Sequence, residues 1–192
     1  RHSFPTRRSS DLGDRRYILV NDCLQTLQQL ANYHRRQLGT RVIGITGTNG
    51  KTTTKELISA VLSQTHNILY TQGNLNNHIG LPLTLLAMRQ QHKFVVAEMG
   101  MNHFGEIAYL SKIARPDVAV ITNAGNAHLE MLGSVEGVAR AKGEIYEGLA
   151  AQGCAVINAD DVHAALWAQL ANGHRQITFG LQSAQICARG IE

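Results

Sequence analysis

The stretch that decides the fold is RVIGITGTNGKT, residues 41–52, which leads into a helical pattern over residues 51–63. A short apolar strand that passes through a glycine-rich turn into a helix is typical of phosphate binding, because backbone N–H groups and the helix dipole then face the anion. The Lys51 ammonium can reach β- and γ-phosphates, and the Thr52 hydroxyl can bind Mg²⁺. The predicted nucleotide-binding residues are Gly47, Thr48, Asn49, Gly50, Lys51, Thr52 and Thr53.

This turn departs from the general phosphate-loop pattern GxxxxGK[ST] by one glycine. That pattern requires glycine at position 45, where the chain has Ile45. A glycine-rich turn without a ligand is therefore the alternative interpretation. The strand before the turn and the helix after it favour phosphate binding.

Apolar runs and amphipathic segments alternate along the rest of the chain. This alternation predicts an α/β fold, a mostly parallel sheet with helices on both faces. The predicted strands are residues 17–20, 41–46, 67–70, 94–98, 118–122, 155–158, 176–179 and 185–188. The first predicted helix begins at a cap, Asn21 or Asp22, and is stopped by Gly39. Its apolar face consists of Leu24, Leu27, Leu30, Ala31 and Leu38. The other predicted helices are residues 51–63, 79–88, 106–113, 135–149 and 162–170.

Composition excludes several classes of protein. The 192 residues are 44% hydrophobic and 17% charged, which is typical of a globular domain, and no apolar run is long enough to span a membrane. The net charge of +4 comes mainly from residues 1–16, where five arginines face two aspartates, so we expect no nucleic-acid partner. Cys23, Cys154 and Cys187 form no CxxC pair, and we expect free thiols in a reducing compartment.

The N-terminal segment RHSFPTRRSSDL lacks the apolar core of a secretory signal and any apolar period. A transit peptide is one interpretation, because such peptides are rich in arginine and serine. We favour a foreign leader and expect residues 1–16 to be disordered.

Several polar residues follow predicted strands and are candidates for chemistry. Glu98 ends a buried strand, where ligands collect in open α/β sheets, so it is a candidate Mg²⁺ ligand or an ion-paired strand end. Asn158 ends another strand, and we expect Asp160 or Asp161 to cap the helix that follows. A loop rich in amides suits either turns or polar recognition and contains Asn74, Asn76, Asn77 and His78.

The motifs GTNGKT, GNLNN, AEMG, NAGNAHLE, AKGEI and NADD, in this order, resemble the Mur ligase family of ATP-dependent amide-forming enzymes. The resemblance covers residues 17–192. It implies an incomplete, P-loop-containing central ATPase domain over residues 41–192, truncated at its C-terminal end, and a remnant of the N-terminal substrate domain and linker over residues 17–40. The C-terminal ligase domain of the family would then be absent. We therefore expect this polypeptide alone to be catalytically incompetent and to bind nucleotide weakly.

The resemblance also implies site residues. His128 would be a metal ligand or would position the transferred phosphate, although an isolated histidine is more often structural. Lys142 would be carbamylated and bind metal, the alternative being a solvent-facing lysine paired with Glu136 or Glu144. We expect Glu144 and Glu147 on a solvated face. The metal ligands would be Thr52, Glu98, His128 and Lys142. Asn158 would approach the nucleotide base, and the UDP-sugar-peptide pocket would be lined by Asn74, Asn76, Asn77 and His78. Apart from the resemblance, Asn102 and His103 lie near Glu98 in sequence, and we expect them to line the same cleft.

The sequences of residues 71–86, 97–107 and 127–145 resemble one branch of the family more than the others. That branch joins D-alanyl-D-alanine to a UDP-N-acetylmuramoyl-tripeptide through an acyl phosphate, with ATP and one or two Mg²⁺ ions, in peptidoglycan synthesis. We accordingly expect a cytoplasmic monomer with small-molecule substrates and no membrane insertion. Another Mur-type, folylpolyglutamate-type or cyanophycin-type ligase, or a non-ligase P-loop module, are the alternatives.

Overall fold

A computed structural model describes residues 18–188 and 190 of the chain. The helices are α1 (Cys23–Gln37), α2 (Lys51–Ser63), α3 (Gly80–Leu86), α4 (Glu106–Ala114), α5 (Leu129–Leu132), α6 (Val135–Gly143), a 3-10 helix (Glu144–Gly148) and α7 (Ala164–Leu170). The strands are β1 (Arg41–Thr46), β2 (Ile68–Tyr70), β3 (Phe94–Glu98), β4 (Val118–Ile121), β5 (Cys154–Asn158), β6 (Arg175–Gly180) and β7 (Ile186–Cys187).

Among the described residues the strands form one seven-stranded sheet in the order β2-β3-β1-β4-β5-β6-β7. Every pair is parallel. The register pairs Ile45 of β1 with Glu98 of β3, and Thr46 with Ile121 of β4. The loops after β1, β3 and β4 therefore begin side by side at one edge of the sheet.

Helices cover both faces of the sheet, as the sequence predicts. The larger core lies on the face covered by α1, α3, α4, α6 and α7, where Trp167 is fully buried. On the other face Ile45, Val96 and Val120 pack against Ile58 and Leu62 of α2. Within residues 18–188 and 190, every helix is too short or too polar to traverse a bilayer.

Three local predictions are wrong. Residues 18–20 form no strand, and Ile18 and Leu19 are exposed. Residue 17, the first of the predicted strand, lies outside the described residues, and so do residues 1–16, for which we expected disorder. The segment 135–149 is not one α-helix, because the 3-10 helix follows α6. The α7 cap is His163, without a side-chain cap, so neither Asp160 nor Asp161 is the N-cap.

The apolar face predicted for α1 is buried only in part. Ala31 is buried in the core and Leu38 packs against it, whereas Leu24 and Leu30 are exposed and Gln28 is buried. Polar contacts hold the helix as well, because the Arg35 guanidinium donates to the Ala114 carbonyl at 3.1 Å and to the Asp117 carboxylate at 2.9 Å. The prediction of Asp22 as a cap is confirmed, because its carboxylate accepts from the Gln25 N–H at 2.8 Å.

The contact between α4 and the 3-10 helix generates a stability prediction. A methyl group at Gly148 would overlap the backbone of Ser111, which cannot move without shifting α4. We expect Gly148→Ala to lower the free energy of unfolding by about 1–3 kcal/mol, the usual cost of overpacking. Urea denaturation followed by circular dichroism measures it.

The matched control is Gly39→Ala. Nothing lies within 4 Å of the added carbon at Gly39, and its φ is not positive. This variant should match or slightly exceed the parent in stability. Equal stability of the Gly148→Ala and Gly39→Ala variants would contradict the prediction.

Candidate functional site

A cavity of about 980 Å³ opens at the edge of the sheet where β1 and β3 end. Seven residues predicted from the sequence to be functional line it: Gly47, Lys51, Asn76, Asn77, His78, His128 and Lys142. The other predicted residues do not line this cavity: Thr48, Asn49, Gly50, Thr52, Thr53, Asn74, Glu98 and Asn158. Residues from motifs that are far apart in sequence thus share one space.

The phosphate-loop backbone depends on two glycines. Gly47 has φ +154°, and a Cβ there would overlap the Thr122 hydroxyl. Gly50 has φ +78° and caps the N-terminus of α2. A side chain would be strained at both positions, so the GTNG spacing reflects a backbone requirement.

The loop at residues 47–50 is clamped by the loop that follows β4. The Thr122 hydroxyl donates to the Asn49 carbonyl at 2.6 Å, and the Asn49 N–H donates to the Asn123 side-chain oxygen at 3.0 Å. The Thr48 N–H donates to the Asn123 carbonyl at 3.0 Å, and its hydroxyl accepts from the Gly125 N–H at 3.0 Å. These bonds fix the loop without using the N–H groups of the first turn of α2.

Lys51 lies at the start of α2 and folds over the loop. Its ammonium donates to the Gly47 carbonyl at 2.7 Å and to the Thr48 carbonyl at 3.2 Å. Burial lowers the pKa of Lys51, and the nearby Glu98 carboxylate partly offsets this effect. The cation is therefore held directly above the turn that would receive phosphates.

Glu98 is buried, with 3% of its surface exposed, and is held by two side chains. One carboxylate oxygen accepts from the Thr52 hydroxyl at 2.9 Å, and the other accepts from the Asn76 amide at 3.0 Å. The Glu98 N–H donates to the Thr71 hydroxyl at 3.0 Å, which fixes the strand end. Glu98 thus connects α2 with the amide-rich loop.

Glu98 and Thr52 fit a magnesium ion by their chemistry. Mg²⁺ prefers oxygen ligands and usually combines one or two protein carboxylates with substrate phosphates. A hydroxyl and a carboxylate oxygen 2.9 Å apart beside a phosphate loop supply such ligands. Among residues 18–188 and 190 no cluster of three or more His, Cys, Asp and Glu side chains could hold a metal.

Lys142, in α6, is buried, with 3% of its surface exposed, although it lines the cavity. Burial, and to a smaller extent the charge of Lys51, lower the pKa of Lys142 from 10.5 to about 7. Glu136 pairs with Arg140 instead. The interpretation of Lys142 as a solvent-facing, ion-paired lysine is therefore wrong.

Glu144 is not on a solvated face, contrary to the sequence-based expectation. Its carboxylate accepts from the Gly105 N–H at 2.8 Å and from the Ala108 N–H at 3.2 Å. It thereby satisfies N–H groups at the start of α4 that have no partner within the helix. Glu147 does lie on the surface, paired with Lys112 at 2.7 Å.

His128 has a left-handed backbone, with φ 57°, and precedes the short helix α5. Its exposed side chain lines both the main cavity and a neighbouring cavity of about 550 Å³. Asn102 lines both cavities as well, while His103 lines only the smaller one. The carboxylate of Glu106 accepts from the N–H groups of Asn102 and His103, at 2.6 and 3.2 Å, and orders this loop.

The amide-rich loop contains both turn-forming and cavity-lining residues. The Asn77 side-chain oxygen accepts from the N–H groups of Ile79 and Gly80 at 3.1 and 2.9 Å, at the start of α3. Asn76 binds Glu98, whereas Asn74 is exposed and lies outside the cavity. Both interpretations of the loop, turn formation and a polar wall, therefore apply to different residues of it.

Asn158 and Asp161 brace the loop that clamps the phosphate turn. The Asn158 amide donates to the Thr122 carbonyl at 2.8 Å, and its oxygen accepts from the Asp160 N–H at 3.0 Å. The Asp161 carboxylate accepts from the Ala124 N–H at 2.9 Å. Both hydrogen-bonding ends of the Asn158 side chain are thus engaged within the protein.

Sequence reasoning missed the contribution of α1 and α4. Asp22, Gln25 and Gln28 of the first turns of α1 line the main cavity, as does Tyr109 of α4. The one available signal was a glutamine at the position of α1 where an apolar residue would be expected to face the core.

Comparison with known proteins agrees with the motifs. Residues 45–192 match the family model of the Mur ligase middle domain. The chain is 55% identical over 144 residues to the UDP-N-acetylmuramoyl-tripeptide–D-alanyl-D-alanine ligase of Bacillus subtilis, covering 75% of this chain and 32% of the relative. The corresponding Escherichia coli protein is 47% identical over 144 residues, again covering 75% of this chain and 32% of the relative.

Solved structures give the same result. A crystal structure of MurF from Acinetobacter baumannii matches with a TM-score of 0.87 and 43% identity, over 91% of this chain and 39% of that one. MurF from Thermotoga maritima, in complex with ADP, matches with a TM-score of 0.80 and 35% identity, over 90% of this chain and 40% of that one. Escherichia coli FolC, at 19% identity and a TM-score of 0.62 over 90% of this chain and 50% of that one, shares the fold.

The chain spans about a third of the length of the curated relatives that it matches. The matched region includes the phosphate loop from Thr46 onward, Glu98, His128 and Lys142. By this match, and by the parallel sheet that carries these residues, the chain belongs to the Mur ligase family.

Proposed function

We propose that this chain supplies the ATP-binding and phosphoryl-transfer site of an ADP-forming ligase that adds D-alanyl-D-alanine to a UDP-N-acetylmuramoyl-tripeptide in peptidoglycan synthesis. The observation that carries the proposal is the shared cavity, in which Lys51 on one side faces a space also lined by Asn76, Asn77 and His78. Its volume of about 980 Å³ suits a small-molecule site. The names of the relatives in Bacillus subtilis and Escherichia coli support the choice of substrates.

The proposed reaction has two steps. An oxygen of the peptide carboxylate attacks the γ-phosphorus of ATP, the bond to ADP breaks, and an acyl phosphate forms. The neutral amine of D-alanyl-D-alanine then attacks the acyl carbon, phosphate leaves from the tetrahedral intermediate, and the amine proton passes to solvent. Phosphoryl transfer depends mainly on positioning and on neutralising charge, so a preformed cationic loop can supply much of the rate.

The residues of the loop divide this work. The backbone N–H groups of residues 50–52, which the clamp does not use, bind the phosphates, and Lys51 stabilises charge that develops on the transferred group. Thr52, Glu98, His128 and a modified Lys142 would hold Mg²⁺, which when bound neutralises phosphate charge. Asn158 supports the loop that clamps the phosphate turn, because its amide donates to the Thr122 carbonyl. To bind the nucleotide base, as proposed, the amide would have to give up this hydrogen bond for one to the base.

Lys142 is proposed to carry a carbamate. The neutral amine attacks the carbon of CO₂, an N–C bond forms, and a proton is released. A buried amine beside another cation favours this reaction, because the product replaces a positive charge near Lys51 by a negative one. The product also supplies carboxylate-like oxygens on α6, in the cavity that Lys51 lines.

The remaining proposals concern context. Residues 17–40 would belong to the N-terminal substrate domain and linker, and residues 41–192 to the central ATPase domain of a cytoplasmic monomer. A folylpolyglutamate-type ligase is the second candidate, supported by the fold likeness to FolC. The relative rates with D-alanyl-D-alanine and with glutamate as the incoming amine distinguish the two.

Lys51→Ala provides the first test of the function. The parent for the assay is a chimera in which this chain replaces the matching segment of the Acinetobacter baumannii MurF. We expect the substitution to lower phosphate release dependent on D-alanyl-D-alanine by about 100-fold or more, because a cation facing the transferred phosphate is lost. Malachite-green detection of phosphate measures it.

Lys112→Ala is the control for Lys51→Ala, since Lys112 pairs with Glu147 on the surface away from the cavity. It should retain the parent rate. Near-normal turnover of the Lys51→Ala chimera would contradict the assignment of the phosphate loop. A parent chimera that unfolds in a single cooperative transition but releases no phosphate would contradict the proposed function itself.

The carbamate has a direct spectroscopic test on this chain. We expect a carbamate signal in ¹³C NMR after addition of ¹³C-bicarbonate, stronger at pH 8 than at pH 6, because the amine is mainly neutral above its pKa of about 7. The signal should vanish in Lys142→Met and persist in Lys112→Met. A spectrum unchanged by Lys142→Met would refute the modification at this residue.

The pKa of Lys142 also predicts a pH dependence of stability in CO₂-free buffer. Unfolding returns the pKa from about 7 toward 10.5, so the unfolded chain binds this proton more tightly between those values. The contribution of Lys142 to the free energy of unfolding therefore rises with pH from about 7 to 10, by at most about 1.4 kcal/mol per unit. Urea denaturation at several pH values gives the free energy of unfolding as a function of pH. The difference between the parent and Lys142→Met should change with pH by this slope, whereas Lys112→Met should parallel the parent. Parallel curves for Lys142→Met would show that its amine keeps an ordinary pKa.

A further inference from the structure

The cavity has a wall that no motif predicts, built from the first two turns of α1. Asp22, Leu24, Gln25 and Gln28 line it from this helix, and Tyr109 lines it from α4. Gln28 is 4% exposed, whereas its neighbours Gln25 and Gln29 are exposed. A buried amide on a helix needs partners for both its donor and its acceptor ends.

Gln28 finds those partners on two different elements. Its amide nitrogen donates to the His78 carbonyl at 2.9 Å, and its oxygen accepts from the Tyr109 hydroxyl. His78 belongs to the amide-rich loop, and Tyr109 belongs to α4. One side chain thus joins three segments around the same cavity.

The rest of α1 is held firmly enough for Gln28 to act as a fixed point. The Asn32 amide donates to the Ile113 carbonyl at 2.8 Å, and Arg35 donates to the Ala114 carbonyl at 3.1 Å. These carbonyls belong to the last turn of α4, where backbone acceptors lack partners within the helix. The Asp117 carboxylate that binds Arg35 also accepts from the Val42 N–H at 2.8 Å, which ties α1 to β1.

We infer that the first two turns of α1 form part of the acceptor-substrate site, with Gln28 as the positioning residue that sets the wall at Asn77 and His78. The inference rests on the proposed function. The reacting carboxylate must lie near Lys51, so the peptide groups next to that carboxylate occupy the cavity between Lys51 and α1. Amide side chains on this wall match the donors and acceptors of a peptide backbone.

A purely structural role for Gln28 predicts a different pattern of effects. Loss of a structural contact would lower stability and would affect nucleotide and peptide substrates alike. The phosphate loop, however, is fixed by hydrogen bonds with Thr122 and Asn123, whereas the Gln28 side chain is bonded to His78 and Tyr109. A positioning role therefore raises the KM for the peptide substrate and leaves ATP binding unchanged.

The experiment compares Gln28→Met with Gln29→Met in the Acinetobacter baumannii chimera. Methionine keeps the length of glutamine but makes neither of the two side-chain hydrogen bonds of Gln28. Gln29 is the control because it is exposed and does not line the cavity. For Gln28→Met we expect the KM for the UDP-muramyl-tripeptide to rise about tenfold, with kcat and the KM for ATP within about twofold of the parent, because hydrogen bonds that orient the wall are lost. Gln29→Met should match the parent in all three constants.

A second readout uses this chain without any substrate. Gln28→Met should accelerate hydrogen exchange of the amides of Ile79, Gly80 and Leu81, whose acceptors lie on Asn77, and leave the amides of Thr48 and Asn49 unchanged. Tyr109→Phe, which removes the second partner of Gln28, should raise the same KM to a smaller extent. It also tests the inference if Gln28→Met fails to fold.

The outcomes separate the two proposals. A folded parent chimera without ligase activity would overturn the proposed function. An active parent in which Gln28→Met and Tyr109→Phe leave the peptide KM unchanged, or raise the KM for ATP equally, would overturn the role of α1 and leave the function standing. A selective rise in the peptide KM with faster exchange at residues 79–81 supports it.

Discussion

The clamp between the phosphate loop and the loop after β4 is the constraint on which the site depends. Because Gly47 has no side chain, the Thr122 hydroxyl can approach the turn and donate to the Asn49 carbonyl. Asn158 and Asp161 then hold the clamping loop from β5, so the termini of three neighbouring strands fix one turn. A phosphate loop fixed in this way loses little conformational entropy when phosphates bind, which is the physical meaning of preorganisation.

Sequence predicts those features that depend on local chemistry. The phosphate turn, the strand Phe94–Glu98 and helix α2 follow from glycine positions and hydrophobic periodicity, which act within a few residues. It predicts less well what depends on tertiary contacts. Glu144 looks solvent-exposed by its helical position, yet it serves the N-terminus of α4, and α1 buries Gln28 where periodicity predicts an apolar face.

The same distinction applies to individual site residues. The roles proposed for Lys51, Glu98 and Lys142 come from motif spacing and family resemblance, and the structure brings Lys51 and Lys142 to one cavity with Glu98 bonded to its wall. The burial of Lys142 could not be read from AKGEI, because an amphipathic helix presents a lysine equally well to solvent or to a polar cleft. The Asp161 carboxylate has two roles, of which sequence suggests only one: one oxygen accepts from the His163 N–H at 2.8 Å, just before α7, and the other holds a neighbouring loop through the Ala124 N–H.

Glu98 explains why the two halves of the site can act together. Its two carboxylate oxygens accept from the Thr52 hydroxyl beside the phosphate loop and from the Asn76 amide in the amide-rich loop. A change that draws one oxygen toward a cation at Thr52 must alter the bond to Asn76, because one rigid carboxylate serves both. Gln28 holds the same amide-rich loop at His78, because its amide donates to the His78 carbonyl. The amide-rich loop is therefore held at Asn76 by Glu98 and at His78 by α1, so its geometry depends on both contacts.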